Sequence, residues 1–270
     1  MSKQNKVSVI IPCHNDGKFL QEAVDSVLQQ PWQNLEVIIM DDGSTDKETL
    51  HLLQSINHGR VQVFFNPPKG VSATRNEAIA KATGTYILPL DADDKLGVRF
   101  LKQAVDVLEN NPDIKLVAGK IKMFGRRSGI KPMPPFTFET LLARNTFAVT
   151  SLFRKKDFLQ TNGFNINMKS GFEDWDFWIS LLENGGEVAI LPVVAVNYRV
   201  KKRSRNSSLT SQHFQKLRRQ LYDNHREAYA RHFIDPLETF EYELLLNSRE
   251  YQLGKKLLKP VRSLYKRLSR

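Results

Sequence analysis

The sequence predicts an α/β protein with a mainly parallel central sheet flanked by helices. Short apolar, β-rich runs alternate with amphipathic stretches of helical length through the first half of the chain. Two acidic clusters, Asp41-Asp42 and Asp91-Ala92-Asp93-Asp94, each follow one of those runs directly. Open α/β sheets bind ligands beyond the carboxyl ends of their strands. Carboxylates massed at that edge repel one another unless a cation sits among them, and a divalent metal carrying a phosphorylated ligand resolves the conflict.

The elements follow in order. Val7–Pro12 is a continuous apolar run, as in a strand buried on both faces. Gly17–Gln30 places Phe19, Leu20, Ala23, Val24, Val27 and Leu28 on one helical face. Leu35–Met40 is a second strand and Thr45–Ile56 a helix, with Ser44 or Thr45 as its cap. Val61–Phe65 is a strand, and Ser72–Ala82 a helix stopped near Gly84. Thr85–Leu90 is a strand, Gly97–Asn110 an amphipathic helix and Ile114–Gly119 a strand. Beyond Phe124 the pattern changes. Gly125–Pro135 is basic and rich in Gly and Pro, and reads as a loop. Phe138–Ala143 reads as a short helix, Ala148–Phe153 as a strand and Lys156–Gln160 as a helical turn. Glu173–Glu183 has Trp175, Trp178, Ile179 and Leu182 at helical spacing, and Val188–Tyr198 is β-rich. From Ser211 the pattern is helical and strongly charged.

The 270 residues are 41% hydrophobic, which suits a globular domain with an appendage. The formal net charge of +11 attracts nucleic acid, anionic lipid or phosphorylated small molecules. Nucleic-acid binding is not expected: the basic residues concentrate in the tail, and no interleaved aromatic platform appears. The single cysteine, Cys13, has no internal disulfide partner, so a reducing compartment is expected and the side chain reads as a small space-filler. No stretch reads as a secretion signal or a membrane span, and the expected location is cytoplasmic or peripheral at the inner face of the cell membrane.

Each acidic cluster admits two readings. In an extended segment Asp91 and Asp93 share a face and address one hard cation, Mg²⁺ or Mn²⁺, with Asp94 turned elsewhere. The same residues also suit a turn with a helix cap. Asp41-Asp42 is either a strand end or a carboxylate pair that accepts hydrogen bonds from a nucleobase or ribose. His14, at the end of the first strand, is either a surface histidine or a ring stacked on a base. Glu173, Asp174 and Asp176 suit the acidic first turn of a helix. A metal-dependent phosphatase would need a nucleophile backed by a base, and none is evident.

Together the motifs resemble a known family. Val7-Ser8-Val9-Ile10-Ile11-Pro12-Cys13-His14-Asn15, Asp41-Asp42-Gly43-Ser44-Thr45-Asp46, Gly70-Val71-Ser72-Ala73-Thr74-Arg75-Asn76, Leu90-Asp91-Ala92-Asp93-Asp94 and Gly171-Phe172-Glu173-Asp174-Trp175-Asp176 occur in the order and spacing of family 2 glycosyltransferases with the GT-A fold. The resemblance covers residues 7–178. It implies a nucleotide-sugar donor, a divalent metal (Mn²⁺ or Mg²⁺) and inversion at the anomeric carbon. UDP is the nucleotide it favours over dTDP or GDP. By the same resemblance Pro12, His14 and Asp42 would hold the nucleobase, and Arg75 would reach the base or diphosphate. Asp91 would contact the ribose or diphosphate, Asp93 would ligate the metal with Asp94 as a further ligand, and Asp174 would be the catalytic base with Glu173 beside it. The acceptor would be a glycan or a lipid-linked glycan of cell-surface polysaccharide synthesis. A non-catalytic nucleotide-sugar-binding or scaffold protein is the alternative.

One departure stands out. Many relatives carry a histidine shortly after Tyr-Arg, where this chain has Tyr198-Arg199-Val200-Lys201-Lys202-Arg203-Ser204. The expectation is a basic loop folded over the leaving diphosphate, or a solvated loop. The expected organisation is a GT-A domain over residues 1–200, with a nucleotide half to about 120 and an acceptor half after it, then a basic helical extension over 201–270. From Tyr251 to Arg270 seven Lys or Arg residues occur without an acidic one. Leu253, Leu257, Leu258, Val261, Leu264, Tyr265 and Leu268 recur at helical intervals interrupted at Pro260. Such a helix suits an anionic membrane surface, packing on the domain or a dimer contact.

Overall fold

Strands β1 (Val7–Cys13) and β2 (Leu35–Asp42) are almost wholly buried, as continuous apolar runs between two helical layers must be. The structure, a computed structural model, describes residues 5–202 and 210–268, without the side chains of residues 211, 238 and 260–268. Arg203 and Ser204 of the basic segment, and the side chains of Val261, Leu264, Tyr265 and Leu268 in the tail, lie outside the described residues.

β1 pairs in parallel with β2 on one side and with β4 (Tyr86–Pro89) on the other, and β3 (Val61–Asn66) extends the parallel array from β2. The rest of the sheet is mixed. β8 (Leu152–Arg154) runs antiparallel to both β4 and β6 (Ile114–Gly125), while β6 and β9 (Glu187–Val200) are parallel. β5 (Lys95–Leu96) and β7 (Gly129–Lys131) add antiparallel edges to β9 and β6. Neighbouring strands follow the order β3-β2-β1-β4-β8-β6-β9-β5.

Alternation along β1 assigns the two layers. Val9 and Ile11 meet α1 (Gly17–Leu28), α2 (Lys47–Ser55) and α4 (Phe100–Asn110). Ile10 faces a second core formed by α3 (Val71–Lys81), α5 (Phe138–Ala143) and α7 (Glu173–Leu182). A short α6 (Lys155–Phe158) follows β8. Aromatic side chains dominate this second core: Phe177 lies 4.3 Å from Phe164 and 5.2 Å from Phe153 between ring centroids. Glu36, buried within β2, is held by Lys6, Ser8 and the backbone of Thr83. Burial alone would raise its proton affinity, but those hydrogen bonds outweigh it and keep the carboxyl below its ordinary range.

Several local expectations are corrected. The α2 cap is Asp46, whose carboxylate accepts from Thr49 N–H at 2.8 Å; Ser44 and Thr45 instead bond Asn15. The expected Gly125–Pro135 loop contains a hairpin, because β6 runs to Gly125 and β7 returns along it. Gly125 and Gly129, both at positive φ, make that return possible. The expected strand over 148–153 is a short one at Leu152–Arg154. α4 starts at Phe100, not Gly97, because Gly97 N–H is bonded to Ala195 C=O beside β5.

The carboxyl-terminal part comprises α8 (Ser211–Asn224), α9 (Arg226–Arg231), a 3-10 turn at Pro236–Glu238, α10 (Phe240–Asn247) and α11 (Arg249–Leu268). Leu217, Leu221 and Ala228 join the second core. α11 runs through Pro260 without the expected interruption. Among the described residues no helix is long and apolar enough to cross a membrane.

Gly97 controls how closely β5 approaches β9, since a Cβ there would lie 1.8 Å from Val194 O. Gly97→Ala is expected to destabilise the protein by about 3 kcal/mol, the upper part of the usual overpacking range. Gly59→Ala, where an added Cβ meets nothing within 4 Å, serves as the control and should shift stability by less than ~0.5 kcal/mol. Urea unfolding midpoints of the two variants check the contrast.

Candidate active site

The acidic cluster after β4 is a turn, not the extended segment expected from its Asp-x-Asp spacing. Asp94 N–H donates to Asp91 C=O at 3.1 Å, so the three carboxylates fan out in different directions. Asp91 points toward α3, where Arg75 Nη2 meets its Oδ1 at 2.7 Å. Asp94 Oδ1 accepts from the backbone N–H of Arg199 at 2.7 Å. Asp93 Oδ2 lies 2.6 Å from Lys201 Nζ.

Arg75 joins this turn to α7. Its other terminal nitrogen, Nη1, is 3.1 Å from Glu173 Oε1, and its guanidinium lies over the Phe164 ring at 5.3 Å. Burial disfavours the charge, but Asp91, Glu173 and Asp174 together raise its affinity for the proton. Asp174 follows Glu173 in the first turn of α7. Burial and the neighbouring Glu173 carboxylate push its pKa up to about 6, against a hydrogen bond from Asn145 and the pull of Arg75. The Trp175 ring beside it is fixed by Nε1–H donating to Leu141 C=O at 2.6 Å, with the Arg218 guanidinium 4.5 Å from the ring.

α7 is anchored from behind. Asn224 Nδ2 donates to Asp176 Oδ1, and His225 sits between Asp176 at 3.3 Å and Glu183 at 3.4 Å. Burial opposes the imidazolium, but the two carboxylates overcome it and raise the pKa to about 9, so the pair stays ionic at neutral pH.

Arg75, Asp91, Asp94, Glu173 and Asp174 all line one cavity of about 740 Å³. Asp93 does not line it; its carboxylate faces Lys201 and α1. Pro12, His14 and Asp42 lie at the carboxyl ends of β1 and β2, outside the lining of this cavity. His14 Nδ1 is 2.8 Å from the Asp42 carbonyl oxygen. The Asp42 carboxylate accepts from the N–H groups of Lys69 and Gly70, so it shapes the loop before α3.

Several lining residues went unread in the sequence. Asn145 steadies Asp174 from the segment before β8. Phe214, Phe240 and Leu244 come from the carboxyl-terminal helices, beyond the 1–200 span expected for the domain. Ring contacts run unbroken from Trp175 to Phe172 at 5.2 Å, Phe172 to Phe214 at 5.4 Å and Phe214 to Phe240 at 5.2 Å. The 214, 217, 221 spacing of Phe and Leu is a helical stripe, the signal from which the packing of α8 could have been read.

The donor set at the turn is all carboxylate oxygen, which suits a hard dication. Among the described residues no group of three or more acidic, His or Cys side chains is gathered to hold a metal alone. Mg²⁺ commonly takes only one or two carboxylates and fills the remaining positions with phosphate oxygens and water. The turn therefore fits a metal shared with a diphosphate.

Comparison with known proteins agrees with this geometry. The glycosyl transferase family 2 model matches residues 8–175, more than half of the chain. The chain is 30% identical over 185 residues to the chondroitin synthase of Escherichia coli, covering 66% of this chain and 27% of that protein. It thus spans about a quarter of that relative's length. It is 27% identical over 219 residues to the E. coli protein WfgD, named a UDP-Glc:alpha-D-GlcNAc-diphosphoundecaprenol beta-1,3-glucosyltransferase, covering 79% of this chain and 83% of that one. Crystal structures of S. aureus TarS superpose with TM-scores of 0.63 in complex with UDP (23% identity) and 0.66 with UDP-GlcNAc (21% identity). They cover 81% of this chain and 65% and 66% of the TarS 1–349 chains, respectively. At that identity the likeness establishes the GT-A fold, and with the matched family model it follows that the chain belongs to glycosyl transferase family 2.

Proposed function

We propose that the protein is an inverting glycosyltransferase that moves one sugar from a UDP-sugar to a hydroxyl of a glycan or lipid-linked glycan acceptor. The observation that carries this reading is the shared cavity. The acidic turn at Asp91–Asp94 and the carboxylate of Asp174 open into it together, joined through Arg75. The TarS complexes with UDP and UDP-GlcNAc support the nucleotide. The named acceptor of WfgD supports a lipid-linked glycan.

In this reading Asp91 faces the ribose or diphosphate, and Asp93 and Asp94 hold a divalent ion, Mn²⁺ or Mg²⁺. When bound, that ion supplies Lewis-acid neutralisation of the leaving diphosphate. Pro12, His14 and Asp42 form the nucleobase end, where the β1 and β2 termini meet. Asp174 takes the proton from the acceptor hydroxyl as the new C–O bond forms at the anomeric carbon. The bond to the phosphate oxygen breaks on the opposite face and UDP leaves with the electron pair. A base with a pKa near 6 is largely ionised at neutral pH yet still basic enough for the task.

The aromatic string from Trp175 to Phe240 suits the acceptor. Sugar C–H faces and the first carbons of a lipid carrier both pack on such surfaces. The string leads from Asp174 to α10, and α11 carries exposed leucines beyond it: Leu253, Leu257 and Leu258 are 58%, 66% and 49% exposed. Lys255, Lys256 and Lys259 flank them. A basic amphipathic helix of this kind lies on an anionic bilayer, where a lipid-linked acceptor resides.

Four outcomes test this. In a panel of nucleotide sugars with Mn²⁺, UDP-sugars should raise the melting temperature more than dTDP- or GDP-sugars; no shift with any of them removes the donor reading. Asp174→Asn should lower turnover by about 10²–10⁴ while leaving UDP affinity unchanged. In the parent protein kcat/KM for transfer should rise with pH through about 6, because only the ionised carboxylate accepts the proton. That limb should vanish in Asp174→Asn, and its persistence would assign the base elsewhere. In flotation with anionic liposomes, replacing Leu253, Leu257 and Leu258 together by Ser should release the protein; equal flotation of both forms rejects the membrane role of α11.

A further inference from the structure

The end of β9 is strapped onto the acidic turn by contacts of two different kinds. Arg199 is locked. Its N–H bonds Asp94 Oδ1, its Nε donates to Asp93 C=O at 2.7 Å and its Nη2 meets Glu22 at 3.1 Å. Its guanidinium sits between the rings of Phe19 and Phe124, at 4.4 and 4.5 Å. The Nε bond to the turn's backbone, the ion pair to Glu22 and the two rings hold that planar group in place.

Lys201 lies two residues on, just past the end of β9. Its ammonium lies 2.6 Å from Asp93 Oδ2 and 3.1 Å from Asp16 Oδ1 at the start of α1. One ring, Phe19 at 5.4 Å, lies against its ammonium where Arg199 has two at closer range, and about a quarter of the side chain is exposed. An ammonium on a four-carbon stem is a compact point charge that can swing without disturbing the backbone. It pairs with Asp93 Oδ2, an oxygen that a dication held by this carboxylate would have to share.

We propose that Lys201 is the exchangeable resident cation of the acidic turn, holding Asp93 until a divalent ion takes its place. The proposal rests on the reading that the turn binds the donor's metal. Ammonium and dication compete for one carboxylate, so metal alone binds weakly. When the diphosphate arrives with the ion, the released ammonium has a new anionic partner within its own reach. Metal and UDP therefore bind cooperatively, and the cooperativity belongs to Lys201. The same swing would place a second positive charge beside the leaving group, which lowers the cost of its developing charge. Lys201 acts here as a positioning residue that couples metal to donor.

The experiment is a Mn²⁺ titration followed by electron paramagnetic resonance, with and without UDP, on the parent protein, Lys201→Met and Lys201→Arg. Removing the competing charge should tighten Mn²⁺ binding in Lys201→Met by at least about tenfold in the absence of UDP. The gain in Mn²⁺ affinity on adding UDP should shrink in the same variant, and turnover should fall although metal is held more tightly. Lys201→Arg should keep the weak binding of Mn²⁺ alone. A lysine that merely stiffens the fold would give the opposite sign: its loss would loosen the turn and weaken metal. Equal or weaker Mn²⁺ binding by Lys201→Met overturns the proposal and leaves the metal reading intact. No Mn²⁺ binding by any form, with or without UDP, removes the metal reading and this proposal with it. A second measurement needs no variant. Reductive methylation of Lys201, read by mass spectrometry on the parent protein, should accelerate at saturating Mn²⁺, and an unchanged rate counts against displacement.

Discussion

The site depends on Arg75 being buried between two carboxylates that the chain supplies from distant places. The residue is 1% exposed, and its partners Asp91 and Glu173 lie 16 and 98 residues away in sequence. Burying a guanidinium alone costs several kcal/mol, which is repaid only where partners and geometry are both good. Here each terminal nitrogen has its own carboxylate. The arrangement fixes α3, the β4 turn and the start of α7 relative to one another. It also joins the acidic turn and the Asp174 end of the cavity electrostatically. Glu173 raises the proton affinity of Asp174 and Arg75 lowers it, so the charge that aligns the halves also tunes this carboxylate.

Much of the nucleotide half was legible because its signals are local. β1 and β2 announce themselves as unbroken apolar runs, and the carboxylates at their ends fall where a parallel sheet gathers ligands. The spacing of Asp91 and Asp93 admitted both an extended segment and a turn, and the backbone decides between them. Period-two logic holds in a strand, but the bond from Asp94 N–H to Asp91 C=O closes a turn, and Asp93 is not among the residues that line the cavity. Lys201 was read as part of a basic loop. Its partners Asp93 and Asp16 lie in remote parts of the chain, and no periodicity in the sequence encodes that contact.

The carboxyl-terminal helices show the same limit from another side. Their charge density reads as a solvated appendage, and for α11 the described side chains are indeed nearly all exposed. Yet α8 buries Leu217 and Leu221 in the second core and sends Phe214 into the cavity. A helix with one apolar stripe and many charges satisfies both descriptions. Only the fold reveals that the stripe joins the core around α7 and that His225 and Asn224 bolt the two together through Asp176.

Phe172 shows why the start of α7 has the form it does. It is left-handed at φ 62°, a conformation that costs a non-glycine residue roughly 1–2 kcal/mol. Glycine would relieve that strain, and Gly171 immediately before it is itself at positive φ. The aromatic side chain at 172 is nevertheless the link between Trp175 and Phe214, and without it the wall of the cavity would be broken beside Asp174. Two demands thus meet at one residue. The backbone must turn sharply to aim Glu173 at Arg75 and Asp174 at the cavity, while the side chain must continue an apolar surface. Strain of this size persists where packing on several sides over-determines the conformation. The rings of Trp175 and Phe214 and the hydrogen bond from Asp176 N–H to Phe172 C=O at 2.9 Å supply that constraint.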